Sequence, residues 1–264
     1  MNALIKIGGT LLDTPESRQR LTREIAQAIT DGLRAVVVHG GGKQMTRFLS
    51  ERGIESRFVK GLRVTSPEVL DAVLKVLAGS VNQETVAAFI ACGVNAVGLT
   101  GMDALLTEAR QLSAEMGMVG IPVRSDVGLL AILQGGGYLP VVACMAGDRQ
   151  GHFYNVNADQ MAASLAAAMR ADKLLFLTDV DGVRDSENVI RRTLNIEDCQ
   201  NLIRSEVATG GMRAKLDSAI EALLSGVAEV VIAPGAQTGI IAKLVRGEHA
   251  GTRLVSQVEV ENHG

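Results

Sequence analysis

Residues 35–43 read Ala35-Val36-Val37-Val38-His39-Gly40-Gly41-Gly42-Lys43. A short β-branched run closed by glycines is the pattern of a buried strand that stops abruptly at a turn. The opening of the chain has the same form, Leu4-Ile5-Lys6-Ile7-Gly8-Gly9-Thr10. Between the two runs, Leu21, Ile25, Ala28 and Ile29 recur at helical spacing. Strand, helix, strand makes a βαβ unit, in which the two strands lie parallel in one sheet.

Outward from this unit the alternation continues. Thr14-Pro15 and Ser66-Pro67 mark helix starts: the hydroxyl can cap the first turn, and the proline has no N–H to waste there. Further strands are expected around Ala96 to Leu99, Pro140 to Cys144, Leu174 to Leu177, Val230 to Ala233 and Arg253 to Val255. Together they predict an α/β fold, an open and mainly parallel sheet sandwiched between helices. Gly101 to Tyr138 alternates less regularly and reads as hairpins and loops. The Ala-rich helix ending near Met169 sets a division into two lobes, 1–171 and 172–264. Only the last few positions, Val258 to Gly264, read as a disordered tail.

Bulk properties narrow the function. At 47 % hydrophobic and 264 residues the chain can bury a sizeable core, and its apolar runs are far shorter than a membrane span. Met1 to Lys6 enters a strand at once with no signal-peptide pattern, so a cytoplasmic protein is expected. Net charge is −3 with the signs interspersed, and no basic tract carries interleaved aromatics, which argues against nucleic acid. Cys92, Cys144 and Cys199 are too scattered to define a metal knuckle or a disulfide framework, and no resident metal site is expected.

Both glycine runs sit at the carboxyl ends of parallel strands, where open α/β sheets bind ligands. Glycine lets backbone N–H groups approach an anion, and the following helix adds the positive end of its dipole. A phosphate or other oxyanion is the expected guest. Gly42-Lys43 is followed by Gln44, so a Walker loop fails, and Lys43, Gln44 and Met45 break the dinucleotide fingerprint. His39 to Gly42 looks like a lipase oxyanion loop, but the G-x-S-x-G nucleophile elbow is missing.

These two loops, with Gly61-Leu62-Arg63-Val64-Thr65, Asn155-Val156-Asn157-Ala158-Asp159-Gln160 and Gly210-Gly211-Met212-Arg213-Ala214-Lys215, resemble the amino-acid kinase family. The order of the motifs spans nearly the whole chain, and Asn155 to Gln160 resembles the N-acetylglutamate kinase branch most closely. The resemblance implies phosphoryl transfer from ATP, with its Mg²⁺ carried by the nucleotide, to the γ-carboxylate of N-acetyl-L-glutamate. A carboxylate is already nucleophilic at neutral pH, so the obstacle is bringing two anions together. Charge neutralisation and in-line positioning must supply the catalysis.

By that resemblance Lys6 and Lys215 are the catalytic cations, the first toward the transferring phosphoryl group and the second toward the ATP phosphates. Asp159 organises both. Gly8, Gly9, Gly41 and Gly42 supply backbone donors around the transferred group and the acceptor. Arg63 clamps the acceptor's α-carboxylate with a planar fork, supported by Asn155. Thr178 and Asp181, in a loop after a strand, and Gly210 and Met212, beside Lys215, are placed on the ATP side.

Plainer readings stand beside these. Lys6 can be a solvated lysine on a sheet edge, and Lys215 a surface lysine on a helix whose Leu216, Ile220, Leu223 and Leu224 face the core. Asp159 can complement a helix dipole. His39 reads as structural rather than catalytic. Two alternative functions are a kinase for a related carboxylate such as an α-aminoadipate derivative, and a non-catalytic nucleotide-binding protein of the same fold. The chain also begins directly at its first strand, without the extra N-terminal helix of arginine-inhibited hexameric relatives, which sets the expectation of a feedback-insensitive homodimer.

Overall fold

The computed structural model describes residues 1–257, so the tail expected at Val258 to Gly264 lies outside the described residues. Strand β1 (Asn2–Ile7) leads through a single 3₁₀ turn to helix α1 (Pro15–Thr30) and strand β2 (Arg34–His39). Thr14 Oγ1 accepts the Ser17 N–H at 3.2 Å and Pro15 occupies the first turn, so α1 starts where the hydroxyl–proline pair placed it. Strands β1 and β2 are parallel, with Lys6 opposite Val38.

Helix α2 (Gly42–Ser50) begins directly in the glycine run, two residues before Gln44. A hairpin of two-residue strands, β3 (Phe58–Val59) and β4 (Leu62–Arg63), leads to α3 (Pro67–Val73), again capped by its serine, Ser66. A π-helical stretch, Leu74–Val81, then runs into α4 (Asn82–Ile90). Such wide turns are rare and favour functional sites; here the stretch lies against the second glycine loop.

After β5 (Ala96–Thr100) come β6 (Thr107–Gln111) and β7 (Val119–Ser125), which form the expected hairpin. The rest of the segment departs from expectation. Gly128–Gly135 is a helix, α5, that buries Leu130 and leaves Ile132 74 % exposed. Apolar but for Gln134 and bounded by glycine, it has no amphipathic period to read. Past β8 (Leu139–Ala143), strands β9 (Met145–Gly147) and β10 (Phe153–Val156) join β6 and β7 in a small closed barrel beside the main sheet. Closure comes from long-range pairing of strands as short as three residues, which local patterning does not encode.

Helix α6 (Ala158–Ala168) and strand β11 (Lys173–Thr178) carry the chain into its second half. There follow β12 (Thr193–Asn195), α7 (Ile196–Arg204), α8 (Gly210–Leu224), β13 (Glu229–Pro234), α9 (Ile240–Val245) and β14 (Thr252–Val255). The main sheet has the order β12-β14-β13-β11-β1-β2-β8-β5, parallel except for the β13–β14 pair. Helices α1, α4 and α9 pack together on one face, and α6 and α8 on the other. On α8, Leu216 and Leu223 are buried and Ile220 packs against the core, but Leu224, the last residue of the helix, is 71 % exposed, correcting its assignment to the core face.

Among the described residues, strands from the first half and from the second meet only where β1 pairs with β11. Strand β1 is therefore the centre of the sheet, which rules out an edge position for Lys6. The chain leaves β1 for β2 on one side and returns as β11 on the other, a topological switch point.

Candidate functional site

The cleft opens at that switch point. The Gly8 N–H donates to Leu177 O at 2.9 Å, tying the end of β1 to the end of β11, so the backbone donor expected of Gly8 is taken up inside the sheet rather than offered to the cleft that Gly8 lines. A Cβ on Gly9 would stand 3.0 Å from the Gly42 nitrogen, so the two glycine loops touch and a side chain at Gly9 would crowd the backbone of the other loop. Together they line a cleft of about 680 Å³ with Lys6, Lys215, Arg63 and Thr178. None of the described residues accepts from the N–H groups of Gly41 or Gly42. Unpaired N–H groups at a helix start are the donors that an anion would use.

Lys6, Asp159 and Lys215 converge although they come from a strand and two helices. Lys6 Nζ lies 2.7 Å from Asp159 Oδ1, without the alignment of a hydrogen bond, and Lys215 Nζ donates to Oδ2 at 3.1 Å. Asp159 sits in the first turn of α6, where Asn157 Oδ1 caps the N–H groups of Asp159 and Gln160. Burial disfavours its charge, but Lys6 and then Lys215 outweigh it and hold the carboxyl below the usual range. Dipole complement and lysine organiser are thus both true of Asp159. Both lysine side chains are largely buried yet reach the cleft, so neither is a simple surface lysine.

Arg63 stands between this cleft and a smaller pocket of about 170 Å³. Its guanidinium donates to Ser56, to Gly42 O at 3.2 Å and to Thr46 Oγ1 at 2.8 Å, and lies 4.6 Å from the Phe58 ring centre. Burial lowers its pKa from the ordinary value, a desolvation cost that a bound carboxylate offsets. Asn155 donates to Thr65 Oγ1 at 3.0 Å and lines the smaller pocket with Gly41, Gly42 and the apolar Leu77, Val119 and Val156. Cys144 is in the same wall, its thiol pushed up to about 11 by burial despite the nearby Lys6.

On the other side Thr178 is buried, donates to Asp179 Oδ1 at 3.1 Å and lines the cleft beside it. Asp181 is not brought to the cleft: its side chain is exposed and faces Arg184 at 3.7 Å. Gly210 and Met212 open α8 one turn before Lys215 but do not line the cleft either. Sequence reasoning missed Asp179, Lys43, Thr46 and Phe58, all of which line it. Asp179 stands next to Thr178 and Thr46 one helical turn after Gly42, signals that adjacency could have supplied; Phe58 sits on a two-residue strand with no periodicity.

The chain matches the family model described as the amino acid kinase family over residues 1–234. A protein named acetylglutamate kinase from Solibacter usitatus is 55 % identical over 256 residues, 97 % of this chain and 100 % of its own. One of the same name from Acidobacterium capsulatum is 43 % identical over 92 % of this chain and 95 % of its own. Among solved structures, an N-acetylglutamate synthase from Neisseria gonorrhoeae, complexed with coenzyme A and N-acetyl-glutamate, superposes with a TM-score of 0.86 at 26 % identity. The match covers 97 % of this chain but only 60 % of the synthase chain. A carbamate kinase from Giardia, at 15 % identity and a TM-score of 0.70, shares the fold.

Proposed function

The chain belongs to the amino acid kinase family, and on that premise we propose that it transfers the γ-phosphoryl group of ATP to the γ-carboxylate of N-acetyl-L-glutamate. The observation that carries the reading is the buried Lys6–Asp159–Lys215 cluster beside two glycine loops in which the N–H groups of Gly9, Gly41 and Gly42 have no acceptor among the described residues. A carboxylate oxygen attacks the γ-phosphorus, the bond to the bridging oxygen breaks, and ADP leaves with an acyl phosphate as the other product. No proton has to be removed from the nucleophile. The need is to bring anions together and stabilise charge moving between them, which lysines and N–H groups do best in a water-poor site. A non-catalytic nucleotide binder has no need of a shared carboxylate fixing two cations.

We place the acceptor on the side of Gly41, Gly42, Arg63 and Asn155, and the nucleotide toward Gly8, Thr178, Lys215 and the start of α8, with Asp181, Gly210 and Met212 nearer its distal parts. The lobes 1–171 and 172–264 then serve acceptor and ATP respectively, with Lys6 and Gly9 at the seam. Mg²⁺ enters with the nucleotide, whose phosphates, with water, supply most ligands of such an ion. Bound there, it neutralises phosphate charge. No helix among the described residues is long and apolar enough to cross a membrane; a cytoplasmic homodimer is the state we propose, with the half-exposed edge strand β5 free to pair.

The test is acyl-phosphate capture. Purified protein, MgATP and hydroxylamine are incubated with N-acetylglutamate, glutamate, aspartate or N-acetyl-α-aminoadipate, and hydroxamate is measured. Product with N-acetylglutamate above all others supports the assignment. A preference for the longer aminoadipate derivative moves the acceptor, and no acceptor-dependent product rejects the kinase reading.

A further inference from the structure

His39 ends β2 directly before the glycine loop and is fully buried, yet no step of the proposed transfer uses it. Its ring is held at both nitrogens. Nδ1 is 2.9 Å from Gly40 O and Nε2 is 2.9 Å from Asn82 Nδ2. A carbonyl only accepts, so Nδ1 carries the proton.

The other end of the chain of contacts fixes the same answer. Asn82 Nδ2 also lies 2.9 Å from Val141 O, an acceptor in the middle of β8, so this corner of the amide must be the NH₂ group. Its second hydrogen then points at Nε2, which must present a lone pair. One carbonyl in a central strand thereby dictates one tautomer of His39. Burial pushes the imidazole down to about 4, in keeping with a neutral ring.

The consequence falls on the loop. Carbonyl and N–H of a trans peptide point in opposite directions, so a Gly40 carbonyl turned in to His39 turns the Gly41 N–H out. The next carbonyls are engaged as well: Gly41 O accepts from Met45 N at 2.8 Å, and Gly42 O from Thr46 Oγ1 at 2.9 Å and from Arg63. The loop thus has its acceptors engaged, and among the described residues the Gly41 and Gly42 donors are free. Placement of Asn82 depends on two neighbours. The π-helical stretch delivers it to the start of α4, and Gly98 in β5 leaves room, since a Cβ there would stand 2.1 Å from Asn82 Oδ1.

We propose that His39 is a positioning residue: locked in its Nδ1–H tautomer by Asn82, it holds the Gly40–Gly41 peptide so that the Gly41 N–H faces the anion in the cleft. The identity of that anion rests on the function proposed above; the tautomer does not.

The experiment is long-range ¹H–¹⁵N NMR of the imidazole rings at pH 7, with His39→Gln used to assign the signal, alongside steady-state kinetics of Asn82→Asp and Gly98→Ala. The wild-type ring shows a protonated Nδ1 and an unprotonated Nε2. Asn82→Asp replaces the donor by an acceptor at equal size, shifts the ring's single proton from Nδ1 to Nε2 so that the Gly40 carbonyl loses its donor, and lowers kcat on the order of 10²-fold, the effect of losing one oxyanion donor. Gly98→Ala, remote from the cleft, lowers kcat in the same direction by pushing Asn82 aside. A wild-type ring protonated at Nε2 overturns the proposal. So does either folded variant whose melting temperature drops while kcat stays within about twofold, because that is the signature of a purely structural residue. If Asn82→Asp does not fold, the wild-type tautomer and Gly98→Ala still decide. An Nδ1–H ring in a protein with no acceptor-dependent product removes the kinase reading alone.

Discussion

Lys6 Nζ lies 2.7 Å from Asp159 Oδ1, and the two side chains are 8 % and 6 % exposed. A pair so far from water costs desolvation on both sides, and hydrophobic residues of like volume often serve stability as well. Its place at the carboxyl end of the central strand, with Lys215 on the second carboxylate oxygen, is what the proposed reaction calls for: Asp159 holds the two cations that the proposed transfer sets on either side of the phosphoryl group.

Lys6→Ala and Lys215→Ala each remove a charge that matters most as negative charge moves between acceptor and leaving group. Each is expected to lower kcat on the order of 10²- to 10³-fold, with smaller changes in KM. Single-turnover rates with saturating substrates check this. A Lys6→Ala enzyme with a near-normal chemical step removes Lys6 from the mechanism.

Asp159→Asn keeps the shape and removes the counter-charge, leaving two cations facing each other in a poorly solvated site. Breaking a buried ion pair on one side costs about 3–5 kcal/mol in other proteins, and a loss of that order is expected in urea unfolding. Lys6→Met, which removes a cation instead, should be milder because Lys215 still pairs with Asp159. The reverse order of the two losses counts against Asp159 as the organiser.

Arg63→Ala should raise the acceptor KM by 10-fold or more and change the ATP KM little, since losing a charge-assisted pair costs about 1.5–3 kcal/mol. Arg63→Lys should recover only part, because one ammonium cannot reach Ser56, Gly42 O and Thr46 together as the planar fork does. An unchanged acceptor KM in Arg63→Ala removes the clamp.

Much of this was legible in the sequence because it is local. The β-branched runs before Gly8 and Gly40 gave the central strands, Thr14-Pro15 and Ser66-Pro67 gave helix starts, and glycine at strand ends gave the cleft. What was not legible depends on contacts distant along the chain. The barrel closes through strands β6, β7, β9 and β10, of which β9 spans only Met145–Gly147. Helix α5 carries no period. Asp181 looks equivalent to Asp179 in Thr178-Asp179-Val180-Asp181, and only the course of the loop after β11 turns one to the cleft and the other to Arg184. The partner of His39 lies on a helix reached through a π turn, which no residue pattern announces.

His39 also predicts a pH dependence of stability. Its folded pKa is lowered from 6.5 to about 4, so below about pH 6.5 the unfolded chain binds the proton more readily. Stability is full above that value and falls as the pH drops toward 4, by up to about 3 kcal/mol from this group. Asp159, also lowered, adds loss as the pH falls below the ordinary carboxylate value through its folded pKa. Denaturant melts between pH 7.5 and 4 should show the decline, and His39→Gln should flatten it down to the range where carboxylates begin to titrate. An equal slope in the variant assigns the decline to other groups.

The contact between the two glycine loops separates packing from access. A methyl on Gly9 meets the Gly42 nitrogen at 3.0 Å and Gly41 Cα at 3.4 Å, backbone that cannot swing aside as a side chain can, whereas a methyl on Gly42 meets nothing within 4 Å and projects into open space. Gly9→Ala should therefore push the loops apart, lowering both the melting temperature and kcat by displacing donors from the reacting group. A shift of 1 Å in such a site is worth about 10²-fold in rate. Gly42→Ala should leave the melting temperature within about 1 °C, since no contact is strained, and act through KM by narrowing the cleft. Thermal melts paired with full kinetics on both variants test the contrast. If Gly42→Ala destabilises as much as Gly9→Ala, the close approach of the loops is not what holds them in register.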